Sequence, residues 1–359
     1  MTVHTATPDA SLRLPAERAL VRTGSDGLIS ADEWFAGGAR VGYDPKSRSI
    51  IPPDSRDISP DVHHVFRRIE DVDGTSANAQ WVSFLPGWPD GSYGWSRMNR
   101  HLSGTDIGPR LFVEYVGHGE SDKPLDYPYG TGERADLVEA FWASESVRST
   151  FIVGFDYSSI VALELLARQR DLLRQGREPT TKITGVLLIN GGLFADAHSH
   201  PWYTTPVLKS VFGGLITSLA QRSRLAFREL MKPLWSATHS VTDAELRELR
   251  SAIGRRNGVS ALSRSAGFVD EHKRNAERWD LERLFQSAAG TISFHIAGSA
   301  EDPFEGRQPV AARERLGAHG LDVRILPGGH LTTSEHPDLL AEMIRDVIGQ
   351  QPEQEGNRK

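Results

Sequence analysis

The sequence predicts an α/β fold: a mostly parallel sheet of the eight-stranded type, with helices on both faces and an inserted helical cap. Short apolar, β-branched runs recur along the chain and alternate with stretches of helical spacing, as in sheets buried on both faces by crossover helices. One such run, Phe151-Ile152-Val153, passes through Gly154 and an acid straight into a second apolar run of helical periodicity, which reads as strand, sharp turn and helix. The interval from Asn190 to Gly290 is far longer than a simple crossover and has helix signals of its own.

In chain order, residues 1–30 are polar and irregular and are expected to form a flexible leader. Residues 31–193 form the first part of the core. An edge strand is expected around Val41 and Tyr43, a Pro- and Asp-rich loop over Ile51–Pro60, and an alternating strand over His63–Glu70. Trp81–Leu85 and Arg110–Val116 follow as strands, each running into a Gly-rich loop, and then come the Phe151 strand and Ile183–Ile189. Residues 194–289 are read as the cap, where Thr242-Asp-Ala-Glu245 has the form of a capping box ahead of Leu246, Leu249 and Ile253. The core resumes over 290–349 with strands Thr291–Ala297 and Leu321–Leu326 and a last helix from Pro337 to Gly349. A disordered tail, 350–359, completes the chain.

Composition narrows the chemistry. With no cysteine, thiol nucleophiles, disulfides and Cys-ligated zinc are excluded. A formal net charge of -6 argues against nucleic acid as a partner. No run approaches membrane-spanning length and the start lacks a signal peptide's apolar core, so a cytoplasmic protein with no membrane partner is expected. Between Gln221 and Arg278 there are 12 Lys or Arg against 7 Asp or Glu, a basic window that reads as a solvated face or as a lid attractive to anions. Asp196-Ala-His198-Ser-His200 has a chelating His-x-His pair but no evident third ligand, and neither a metal nor any other cofactor is expected.

The turn itself holds the chemistry. In Gly154-Phe155-Asp156-Tyr157-Ser158, small residues stand two places before and after Asp156, as in a nucleophile elbow, with a carboxylate where serine is usual. Asp156 alone fits an N-cap equally well. A carboxylate that attacks carbon leaves an ester on the protein, and hydrolysing it needs a base that is itself oriented by an acid. His330, in Pro327-Gly-Gly-His330 after the last strand, and Asp302, in Glu301-Asp-Pro303 after the strand before it, supply both in the order nucleophile, acid, base. Glu301 is the alternative acid; Asp302 is preferred because Asp-Pro opens a turn. The backbone N–H groups of Trp88 and Tyr157 are placed to form an oxyanion hole. Trp202 and Tyr203, at the start of the cap, are candidates to bind substrate and assist a leaving group.

These residues resemble the α/β-hydrolase superfamily, in the branch of haloalkane dehalogenases and epoxide hydrolases. Pro86-Gly-Trp-Pro-Asp-Gly-Ser-Tyr-Gly-Trp95 is similar to its His-Gly-Phe-Pro loop, Gly117-His-Gly-Glu-Ser-Asp-Lys-Pro124 to its Gly-x-Gly-x-Ser-Asp-Lys-Pro segment, and Phe155-Asp156-Tyr157 to its His-Asp-Trp elbow. Asn190-Gly-Gly is similar to the same tripeptide in relatives of the mesoderm-specific transcript protein. The resemblance implies the α/β-hydrolase fold and a small-molecule substrate, most simply an epoxide hydrolysed to a diol through an ester on Asp156. A haloalkane is the runner-up, and a non-catalytic, partner-binding protein of the same fold is a further alternative. Pro86 stands where that branch has His, and Tyr157 where dehalogenases carry a halide-binding Trp. Oligomeric state is not legible.

Overall fold

Nine strands pair into one sheet in the order β2-β1-β3-β5-β4-β6-β7-β8-β9. The structure, a computed structural model, describes residues 27–52, 61–71, 79–198, 222–258, 268–288 and 290–350, with Ala261 and Arg264. The strands are β1 (Ala39–Asp44), β2 (Ser49–Ile51), β3 (His63–Glu70), β4 (Gln80–Leu85), β5 (Arg110–Val113), β6 (Ser149–Phe155), β7 (Lys182–Ile189), β8 (Ser293–Ser299) and β9 (Asp322–Leu326). Pairings from β5 through β9 are parallel, and those of β2, β1 and β3 are antiparallel.

Most expected strands are present, and the differences have local causes. β2, read as part of a loop, is a three-residue ribbon that adds a ninth strand by pairing with β1. β5 stops at Val113 instead of Val116, because the next side chain, Glu114, turns in to accept hydrogen bonds from the N–H and hydroxyl of Ser92. Helix α1 (Ala31–Ala36) was not anticipated; Ser30 caps it by accepting from the Glu33 N–H at 3.1 Å, and it buries Trp34 and Phe35.

Helices α2 (Ser96–Leu102), α3 (Thr131–Ser144) and α4 (Ser158–Arg174) connect the first strands. Between β7 and β8 lie α5 (Arg224–Met231), α6 (Asp243–Gly254), α7 (Phe268–Arg274) and α8 (Leu281–Ser287); α9 (Gln308–Leu316), α10 (Thr332–Glu335) and α11 (Pro337–Gly349) follow. The capping box read in the sequence is formed: Thr242 Oγ1 accepts from the Glu245 N–H at 3.2 Å, and Glu245 Oε2 accepts from the Thr242 N–H at 2.8 Å. Leu246, Leu249 and Ile253 are buried, so the helical periodicity marked the packed face. Two apolar layers sandwich the sheet, one with α3, α4 and α8, the other with α1, α2, α6 and α11. No helix among the described residues is long and apolar enough to cross a membrane.

The parallel register decides where chemistry can gather. Leu85 pairs with Gly154, Phe155 with Ile189, Ile189 with Ala297 and Ser299 with Leu326. The carboxyl ends of β4, β6, β7, β8 and β9 therefore finish level, and their loops emerge along one edge.

Candidate active site

Asp156 sits between β6 and α4 with φ +54°, the left-handed region that a side chain adopts only when its surroundings hold it there. They do so closely. A Cβ on Gly154 would lie 3.2 Å from the Ser158 carbonyl oxygen, and one on Gly191 would lie 1.8 Å from Ser159 Oγ and 2.8 Å from the Asp156 carbonyl oxygen. The Asp156 N–H donates to the Ile189 carbonyl at 2.9 Å, and the Ser158 hydroxyl donates to the Pro86 carbonyl, tying the elbow to both flanking loops. No side chain caps the start of α4, so Asp156 is not an N-cap.

Its carboxylate faces two ways. Oδ2 accepts from the Trp88 N–H at 2.9 Å, and the Tyr157 N–H also donates to the carboxyl. Oδ1 lies 3.6 Å from His330 Nε2, while His330 Nδ1 is 2.8 Å from Asp302 Oδ2. The structure thus brings together Asp156, His330, Asp302, Trp88 and Tyr157. The acid is Asp302, whose side chain is wholly buried and whose Oδ1 accepts from the Phe304 N–H at 2.8 Å; Glu301 is exposed. The rings of Phe155 and Phe304, with centroids 5.5 and 5.3 Å away, confine the imidazole.

Electrostatics couple the pair. Burial raises the Asp156 pKa to about 6, held from going higher by His330 and by the Trp88 and Tyr157 N–H groups. For His330, burial disfavours the proton, but Asp302 and then Asp156 and Asp90 outweigh it and lift the pKa to about 9. Near neutral pH the site holds a carboxylate against an imidazolium.

Two contributors were missed by sequence reasoning. Asn190, in the left-handed region at φ +45°, donates from Nδ2 to the carbonyls of His330 (2.8 Å) and Gly329 (3.2 Å) and accepts from the Ser299 N–H at 2.8 Å. It braces the histidine loop against β7 and β8. Its sequence signal was the Asn-Gly-Gly tripeptide, since Asn tolerates a left-handed backbone. Asp90 is a second buried carboxyl, electrostatically coupled to Asp156 and His330, with Oδ1 unpartnered and its pKa raised by burial to about 7. Gly94 makes room for it: a Cβ there would lie 2.0 Å from Asp90 Oδ2.

Other expectations resolve differently. The side chain of Tyr157 turns into the interior, under the Arg134 guanidinium at 4.4 Å and stacked on His118 at 6.1 Å, so only its backbone faces the site. Gly117–Pro124 is a self-closed turn: Lys123 Nζ donates to the carbonyls of His118, Gly119 and Ser121. His198 bonds to Glu305 at 2.9 Å and to His272 at 3.0 Å, and no metal-competent cluster occurs among the described residues. His200, Trp202 and Tyr203 lie outside the described residues.

An elbow carboxylate beside an oriented imidazole stands on the carboxyl edge of such a sheet, an arrangement in keeping with a hydrolase of the α/β class. Residues 84–343 match the Alpha/beta hydrolase family, and the chain belongs to that family. It is similar to the human Mesoderm-specific transcript homolog protein, 26% identical over 238 residues that cover 65% of this chain and 68% of that one. Among solved structures, the haloalkane dehalogenase DatA from Agrobacterium tumefaciens C58 superposes with a TM-score of 0.62 at 16% identity, covering 88% of this chain and 98% of that one. The epoxide hydrolase CorEH gives 0.56 at 12% identity, covering 87% and 99%. At such identities, the two structures share the fold.

Proposed function

We propose that this hydrolase opens epoxides to diols through an alkyl ester on Asp156. Oδ1 attacks a ring carbon, a C–O bond of the epoxide breaks, and the departing oxygen takes up a proton from the Tyr203 hydroxyl in the cap segment 194–289, with the Trp202 indole as a hydrogen-bond donor to it. With the Asp156 charge gone, His330 gives up its resting proton to the Tyr203 phenolate; Nε2 then takes a proton from water, which attacks the Asp156 carboxyl carbon. The oxyanion that forms on Oδ2 meets the N–H groups of Trp88 and Tyr157. On collapse the departing alkoxide takes the proton from His330 to complete the diol, and the acid left on Asp156 passes its proton back to the imidazole, which restores the carboxylate and the imidazolium. The observation that carries this reading is the split role of the carboxyl: one oxygen is held by backbone N–H groups, and the other faces an acid-supported imidazole at 3.6 Å.

Epoxide is favoured over haloalkane by the inward turn of Tyr157, which leaves no ring donor in the site at the place where the resembled dehalogenases carry a halide-binding indole. The test is intact-protein mass of His330→Gln after exposure to terminal epoxides and, separately, to haloalkanes, with Asp156→Asn alongside. An epoxide should add its whole mass to His330→Gln and nothing to Asp156→Asn. Adducts from haloalkanes alone, each lighter than its reagent by the hydrogen halide, would replace epoxide with haloalkane, and an adduct on Asp156→Asn would remove Asp156 from the mechanism.

A further inference from the structure

Far from the carboxyl edge, Arg170, Arg174, Arg274, Arg278 and Arg283 line an open cleft of about 730 Å³ between the end of α4 and the α7–α8 region. At 1.5 Å per helical residue, Arg170 and Arg174 lie roughly 18 and 24 Å along α4 from its start at the elbow. Two of the window's arginines, Arg274 and Arg278, therefore face this cleft and not Asp156. The guanidinium groups fall into two sets. Arg278 is fixed by Glu164 and Asp171, each at 2.7 Å; Asp171 also holds Arg170 at 2.9 Å, and Arg283 pairs with Glu277 at 3.1 Å. Arg174 and Arg274 have no carboxylate partner among the described residues; Arg274 donates only to the Asp270 carbonyl. With Glu277 on the same cleft and the other arginines committed, Arg174 and Arg274 are the exposed guanidinium groups left to meet an anion.

The cleft continues into an apolar groove of about 260 Å³ that shares Arg170, Arg174 and Ser287 with it and is floored by Leu166, Leu173, Leu284 and Phe294. Leu173 is 47% exposed there and adds its side chain to the apolar lining of the groove. Phe294 opens β8, so the groove lies at the amino edge of the sheet, opposite the candidate active site. The charge and shape together select one occupant. A carboxylate head offers two oxygens, whereas a phosphate monoester offers three terminal oxygens and nearly two charges, a closer match to several converging guanidinium forks.

We propose that this cleft binds a phosphate-headed amphiphile, with the phosphate on Arg174 and Arg274 and a single alkyl chain in the Leu173 groove. Calorimetry below the micelle concentration, with decyl phosphate, inorganic phosphate and decyltrimethylammonium, tests it on the whole protein. Decyl phosphate should bind at least tenfold more tightly than inorganic phosphate. The double variant Arg174→Ala/Arg274→Ala should weaken both phosphates at least tenfold with an unchanged Tm. Leu173→Ser should weaken decyl phosphate alone, and Asp156→Asn should change neither. Equal binding of decyl phosphate to wild type and double variant overturns the site. Equal affinity for the two phosphates overturns the amphiphile in favour of a free anion, and comparable binding of the cationic amphiphile overturns the charge selection.

Discussion

As the proposed nucleophile, Asp156 must be buried enough to exclude water and ionised enough to attack, and these requirements oppose each other. Burial lifts its pKa to about 6, so nucleophilic attack should fall off as pH drops through that value. His330 is part of what keeps the value from going higher. In His330→Gln the midpoint for ester formation should therefore move above about 6, measurable by rapid quench and mass spectrometry across pH. A midpoint that stayed or fell would mean that His330 does not sense the carboxylate. The coupling also works in reverse. Once Asp156 is an ester its charge is gone, one of the attractions holding the proton on His330 disappears, and the imidazole is released to act as base at a pH below its resting value of about 9. Asp90 gives a stability signature of the same physics. Its folded pKa is raised from 3.8 to about 7, so the folded state holds the proton more tightly; the stabilisation is complete below the unfolded value and is lost as pH rises through about 7. Asp90→Asn should thus add more unfolding free energy at alkaline than at acid pH, by about 4 kcal/mol at most, read by denaturant unfolding across pH. A gain independent of pH would show that Asp90 does not carry that proton.

At the scale of elements, the elbow depends on how closely β7 and its exit approach β6. Gly191→Ala places a methyl against Ser159 and against the Asp156 backbone, and a backbone atom cannot rotate aside. It should cost roughly 1–3 kcal/mol and abolish ester formation, read by denaturant unfolding and by the His330→Gln mass assay. Intact ester formation in a stable Gly191→Ala protein would show that the approach is looser than drawn. Much of this was legible beforehand. Strand β3 runs over His63–Glu70 as its alternation predicted, the capping box at Thr242 is formed, and Asp156, Asp302 and His330 stand after strand ends as their spacing implied. What escaped notice has a common cause. Asn190, Asp90 and the inward turn of Tyr157 depend on contacts between loops far apart in sequence, and periodicity reports only which face of an element is buried. The early end of β5 is of the same kind, since Glu114 leaves the strand to meet Ser92.

Across the whole molecule, the catalytic edge and the inserted segment are joined at the histidine loop. Glu335 accepts from the Gly329 N–H at 2.8 Å and from the Ser236 N–H at 3.0 Å, and the Leu331 N–H donates to the Leu234 carbonyl at 2.9 Å. These hydrogen bonds tie residues 234–236 to residues 329–331. Glu335→Ala should speed amide exchange in both stretches and slow ester hydrolysis more than ester formation, because the base lies in the loosened loop and the nucleophile does not. Exchange raised in only one stretch would break the link.

The distance in sequence between Asp156 and His330 sets a clock on biosynthesis. A chain growing at about 5–20 residues per second needs roughly 10–35 seconds to pass from the elbow to the imidazole. On the proposed chemistry, a chain folded through β7 and Gly191 that met a reactive electrophile before His330 arrived would be capped with no means of clearing the ester. The late arrival of β8 and β9 thus makes the order of translation a hazard that the finished enzyme no longer faces.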